Sequence, residues 1–189
     1  MYKDLARIIE KHLAEQAVVV VAISGHGGSG KSTLAERLAH QFGIAEDQIV
    51  RLDGLHAKGY LEAKDILELH DWATIMDILS HAHSRKRLSY VKRDEKERES
   101  VVDVPRPRVV IFEGIRLLRP EILPYVDVSV WIDCPIDVAT ARAKERNRQQ
   151  GDSEAEIALW DTKWVTESER YFEQVSPREI ASFIYTEYS

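Results

Sequence analysis

The segment Gly25-His26-Gly27-Gly28-Ser29-Gly30-Lys31-Ser32 carries the densest chemistry in the chain. A glycine, four residues, then Gly-Lys-Ser is the spacing of a phosphate-binding loop, and here it lies between an apolar run and a helical pattern. Gly25, Gly27, Gly28 and Gly30, with Ser29 among them, let the backbone turn successive N–H groups inward around an anion. The helix starting at Lys31 adds unpaired N–H groups and the positive end of its dipole. Lys31 is expected to reach the β- and γ-phosphates. Ser32 is expected to join a Mg2+ shell with water and phosphate oxygens, and Thr33 to hydrogen-bond the α-phosphate. The alternative is a glycine-rich turn without a ligand, and the motif in its proper context weighs against it. ATP with Mg2+ is the expected occupant.

Two carboxylates stand where such a loop needs them. Asp53 closes a short apolar stretch, and Glu113 follows Val109-Val110-Ile111-Phe112. In an open parallel sheet the ligand lies beyond the carboxyl ends of the strands, so both acids are expected near the phosphates. Asp53 is read as the base or orienting group for an acceptor hydroxyl, and Glu113 as support for the metal's water shell. A helix N-cap or a solvated strand end is the plain alternative for each. The basic run Arg142, Lys144, Arg146, Arg148 precedes Gly151. Arg142 and Arg146 share a helix face, and a lid carrying arginine neutralises the transferring phosphoryl group while excluding water. A solvated helix face is the competing reading.

The elements that must hold these residues follow from periodicity. Leu5, Ile8, Ile9, His12, Leu13 and Gln16 mark a leading amphipathic helix over 3–16. Val18 to Ile23 is a β-branched strand buried on both faces, and Lys31 to Gln41 a helix stopped by Gly43. Gln48 to Asp53, Arg108 to Phe112 and Val126 to Asp133 read as further strands, the last two each followed by a helix. Leu61 to His83 reads as a helix, and 84–104 as a charged hairpin or excursion with Val101 to Val104 as its return strand. Val138 to Gln149 and Glu154 to Gln174 are two more helices. The expected fold is α/β: one P-loop domain over 1–189 in three layers, with a substrate cap over about 54–105 and a helical lid over about 142–160. His81 and His83 point to different helix faces, Trp160 and Trp164 are expected to staple a helix to the core, and Cys134 has no partner base.

Composition narrows the field. The 189 residues hold 26 Lys and Arg against 32 Asp and Glu, a formal charge of −6, which argues against broad nucleic-acid binding. That charge is uneven: residues 85–99 carry seven basic and four acidic side chains, and 142–150 four basic and one acidic. The positive charge gathers in the expected cap and lid. One cysteine fits a reducing, cytoplasmic setting. The longest apolar run, Ala17 to Ile23, is seven residues and too short for a membrane span. A guanine-reading Asn-Lys-x-Asp segment is absent, since the one asparagine, Asn147, precedes Arg148. No glycine has Asp three positions before it, and the Leu-Ser-Gly-Gly-Gln signature of transporter ATPases is also missing.

The residues resemble the uridine kinase and phosphoribulokinase group of P-loop kinases from residue 18 to about 185. The resemblance rests on Gly25 to Ala35, on Leu52-Asp53-Gly54-Leu55-His56, on Val109 to Ile115, and on the segment from Trp164 through Glu167 and Tyr171 to Pro177. It implies ATP-dependent phosphorylation of a small-molecule hydroxyl, Mg2+, a five-stranded parallel core and a mobile lid. It also implies Asp53 as base and arginines of 142–148 facing the phosphates. The substrate side departs from the uridine kinase pattern: Gly54-Leu55-His56 replaces x-Phe-Tyr, and Tyr90-Val91-Lys92-Arg93-Asp94 stands in the excursion. His56, Tyr90 and Arg93 are the substrate-facing candidates, although His56 could cap a helix and Tyr90 pack in the cap. A nucleoside acceptor leads, with pantothenate- or sugar-type acceptors behind it. A non-catalytic ATP-binding regulator is the reading from another class. The expected partners are therefore a nucleoside triphosphate and a small hydroxyl acceptor, with no membrane or nucleic acid, and a homo-oligomer is compatible with the sequence.

Overall fold

The computed structural model describes residues 1–60, 69–94 and 96–186. Its centre is β1 (Val19–Gly25), every residue of which is buried. β1 pairs in parallel with β5 (Val109–Glu113) on one side and β6 (Val128–Ile132) on the other. β2 (Val50–Arg51) and β7 (Phe183–Tyr185) complete a parallel sheet in the order β2-β5-β1-β6-β7. The five-stranded parallel expectation therefore holds. The apolar run that becomes β1 serves two cores by alternation. Val19, Val21 and Ile23 pack with Leu34 and Leu38 of α2 (Lys31–Phe42) and with Leu5 and Ile9 of α1 (Tyr2–Glu15). Val20 and Ala22 face the opposite layer, with Ile75 and Leu79 of α3 (Trp72–His81), Leu117 and Trp131.

Between β2 and β5, β3 (Arg87–Arg93) and β4 (Glu99–Pro105) form an antiparallel hairpin. The charged excursion is thus a ribbon, and the expected return strand lies inside β4. After β6 come α4 (Ile136–Gln150), α5 (Glu154–Leu159), a π-helical turn over Trp160–Trp164, α6 (Val165–Val175) and the short α7 (Pro177–Ile180). Among the described residues no helix is long and apolar enough to cross a membrane.

Several local expectations change. No α-helix follows β5: residues 114–127 turn through Arg116, at φ 66°, into a single 3-10 turn over Leu123–Tyr125. Pro120 and Pro124 each remove a backbone donor and clash with the preceding turn, so an α-helical ladder cannot run there. Leu117, Leu118 and Ile122 are buried as irregular backbone instead. The second strand is shorter than expected, because Leu52–Gly54 breaks into a 3-10 turn that lifts Asp53 out of the sheet. Of the helix expected over Leu61 to His83, only α3 is helical: residues 69–71 are not, with His70 bridged to His56, the chain turns at 82–83, and 61–68 lie outside the described residues. The helix expected over Glu154 to Gln174 contains the π turn, a form that often marks a functional position.

Candidate active site

The loop between β1 and α2 is held by its neighbours as much as by its own sequence. Gly28 has φ 81°, a left-handed value that L side chains rarely adopt. A Cβ there would run into the Ala139 carbonyl and come within 3.0 Å of the Ala143 backbone nitrogen, so α4 lies directly against the loop. At Gly27 a Cβ would approach the Trp160 indole to 2.5 Å. The sequence reading placed Trp160 as a core staple; the structure seats it over the phosphate loop. No sequence signal marks that contact, because it depends on the π turn and the angle at which α4 leaves the sheet.

Lys31, at the start of α2, is 8% exposed, and its Nζ donates to the His26 carbonyl at 2.8 Å. Burial lowers its pKa, Glu113 and Asp53 oppose that lowering, and Arg146 adds to it. These three charges therefore converge on one ammonium. Arg142, four residues before Arg146, is exposed. Ser29 is buried with its Oγ unpartnered, an orphan polar atom inside the cradle. Thr33 is exposed in the first turn of α2.

Glu113 ends β5 and is 3% exposed. The Ser32 hydroxyl donates to its Oε1 at 3.3 Å and Arg51 donates at 3.1 Å. Burial raises its pKa, as does Asp53, while Lys31 and Arg51 pull it back. Arg51 is a site residue that the sequence reading missed. It also pairs with Glu36 at 3.0 Å, so it ties α2 to the end of β5. A hydroxyl beside a carboxylate is an all-oxygen donor set that suits Mg2+, which keeps several waters and phosphate oxygens in its shell. Among the described residues no cluster of three His, Cys, Asp or Glu could form an all-protein metal cage. The cradle and the Ser32–Glu113 pair fit a magnesium-bound triphosphate.

Asp53 is exposed on the 3-10 turn and opens onto a cavity of about 400 Å3 that Arg93 also lines. Arg93 donates to the His56 carbonyl at 2.7 Å and pairs with Glu99 at 2.8 Å, which fixes the hairpin to the Asp53 turn. His56 does not line that cavity; it stacks on Tyr60 with ring centroids 4.2 Å apart. Tyr90 packs against the second core, and burial with Asp47 nearby pushes its pKa up to about 12. Of the substrate candidates, the structure joins Arg93 to Asp53 and sets His56 and Tyr90 apart. His70, beside His56, is 5% exposed with a pKa pushed down to about 4 by burial and then by Arg116.

A second cavity, of about 480 Å3, opens beside the loop between His26, Asp133, Pro135, Ile136, Glu169 and Phe172. The His26 ring packs edge-on against Phe172 and Trp131, and burial, then Lys31, pushes its pKa down to about 4. The remaining histidines and tryptophans are ordinary: His81 and His83 each face an aspartate, Asp77 and Asp127, and Lys163 sits over the Trp164 ring.

No family model matches the chain. It is 27% identical over 156 residues to a uridine kinase of Haemophilus influenzae, covering 73% of this chain and 72% of that protein. A uridine kinase of Clostridium perfringens is 28% identical over 141 residues, covering 68% of each. Among solved structures, one described as a "putative fructose transport system kinase" from Silicibacter sp. TM1040 superposes with a TM-score of 0.75 at 25% identity, over 96% of this chain and 98% of that one. A D-glycerate 3-kinase from Cryptococcus neoformans shares the fold at 14% identity, with a TM-score of 0.67 over 98% and 95% of the two chains. The chain has the P-loop kinase fold, similar in sequence to the uridine kinases and in structure to the "putative fructose transport system kinase".

Proposed function

We propose that this chain is an ATP-dependent kinase that transfers the γ-phosphoryl group to a hydroxyl of a small molecule. The observation carrying this reading is the convergence of Lys31, Ser32, Glu113 and Asp53 at the carboxyl end of one parallel sheet. The backbone of Gly25 to Gly30 and the Lys31 ammonium hold the triphosphate, with Thr33 at the α-phosphate. Ser32 would hold Mg2+ directly and Glu113 through its water shell; the ion, when bound, would neutralise charge on the phosphate oxygens. Arg51 keeps Glu113 aimed and opposes the rise in its pKa that burial causes. Asp53 orients the acceptor hydroxyl and takes its proton. Arg146 faces the phosphates from α4, with Arg142 one turn before it. Residues 54–105 act as the acceptor cap and 142–160 as the lid. The relatives' names put uridine first among acceptors to test, followed by pantothenate- and sugar-type compounds.

The test is an ADP-release screen with Mg-ATP across those acceptor classes, repeated with Asp53→Asn. Acceptor-stimulated turnover that collapses in the variant while ATP still binds is the expected result. Tight ATP binding without stimulation by any acceptor would instead assign a nucleotide-binding regulator.

A further inference from the structure

The cavity over which Asp53 stands is markedly cationic. Among the described residues, Lys92, Arg93, Lys96 and Arg98 line it against two carboxylates, Asp53 and Asp94. Two of the cations are already satisfied: Arg93 by Glu99 and the His56 carbonyl, Arg98 by Asp94 at 2.7 Å. Among the described residues the Lys92 and Lys96 ammonium groups have no ion-pair partner. Lys92 lies on the same face of β3 as Leu88 and Tyr90, which pack into the second core. Its stem follows the backbone of the catalytic turn, since a Cβ on Gly54 would meet Lys92 Cβ at 3.7 Å. The turn carrying Lys96 is fixed too: Asp94 accepts from the Lys96 and Arg98 amides, and Glu97 accepts from the Gly59 amide at 2.9 Å. Two unneutralised ammonium groups on a pinned hairpin thus face the carboxylate expected to activate the acceptor.

We infer that the acceptor carries an anionic group, a phosphate or a carboxylate, which Lys92 and Lys96 bind while its hydroxyl reaches Asp53. This rests on the kinase reading above and selects among its acceptor classes. Both lysines are exposed, so water solvates them beside a neutral nucleoside, whereas an oxyanion adds charge-assisted hydrogen bonds that a neutral acceptor cannot supply. It also separates charge along the acceptor. The anion sits at the hairpin, and the hydroxyl lies toward the Asp53 carboxylate, which would repel the anionic end. The orientation of transfer follows from that polarity.

The test compares matched acceptors in the ADP-release assay: nucleosides against their monophosphates, sugars against sugar phosphates, and polyols against the corresponding hydroxy acids. The anionic member of at least one pair should exceed its neutral partner by about tenfold or more in kcat/KM. Whether the phosphates or the carboxylates respond identifies the source of the charge. The double variant Lys92→Gln/Lys96→Gln should raise the acceptor KM by about tenfold or more with ATP KM unmoved, and added salt should mimic it. Equal use of neutral acceptors, or a variant that shifts ATP KM and spares acceptor KM, overturns the inference and leaves the kinase reading standing. Silence with every acceptor overturns the kinase reading beneath it.

Discussion

The two ends of the site are built from different materials. At the phosphate end, a loop on the fully buried β1 presents backbone N–H groups, and its shape is enforced by α4 against Gly28. At the proposed acceptor end, a 3-10 turn and a two-stranded ribbon present exposed charged side chains held by Arg93 and Glu97. Backbone recognition suits a ligand common to many kinases, because it needs only glycine and a helix start. Side-chain recognition on a hairpin can be rewritten without disturbing the sheet, which suits the variable partner.

The largest test of that division is Asp53→Asn. It should lower kcat by about 10²- to 10⁴-fold while nucleotide affinity, measured by titration, stays within about threefold. Equal loss of both would mean that the two ends are one unit. Next is Gly28→Ala, whose Cβ meets α4 at a left-handed position. It should cost about 1–3 kcal/mol in thermal unfolding and weaken nucleotide binding before acceptor binding. Arg51→Ala removes the guanidinium that pairs with buried Glu113 and should cost about 1–3 kcal/mol, with a raised Mg2+ requirement in the ADP-release assay.

The last test is the pH response of the acceptor side. His70 is buried with its pKa held at about 4, below the ordinary 6.5, so the unfolded chain binds the proton more tightly. Its contribution is intact above about pH 6.5 and declines on acidification toward pH 4, by at most about 1.4 kcal/mol per pH unit. Chemical unfolding of His70→Phe across that window should show a shallower decline than the parent chain. A parallel decline would place the acid sensitivity elsewhere, with His26 the next buried imidazole to replace.

The same contrast explains what the sequence revealed. That Gly25 to Ser32, Asp53 and Glu113 lie together is legible because strand, loop and helix are local and the sheet rule places strand ends together. The parallel core followed from apolar runs at the right spacing. Arg51, Trp160 and the separation of His56 and Tyr90 from the Asp53 cavity were not legible, because each depends on tertiary packing that the neighbouring residues do not announce. Arg51 reaches Glu113, 62 positions away, and nothing in its neighbourhood announces that partner. The missing helix after β5 was readable in principle from Pro120 and Pro124, four residues apart.

The meeting of Gly28 with Ala139 and Ala143 has a mechanical consequence. Small residues on both sides bring α4 and the loop into backbone contact, so α4 acts as a strut bolted to the frame. Its far end is Gly151, at φ 89°, where the chain breaks before the capped start of α5 at Ser153. Gly151 is therefore the point at which the chain leaves the helix that backs the loop. Arg146 belongs to that helix, while Trp160 reaches Gly27 from beyond the break.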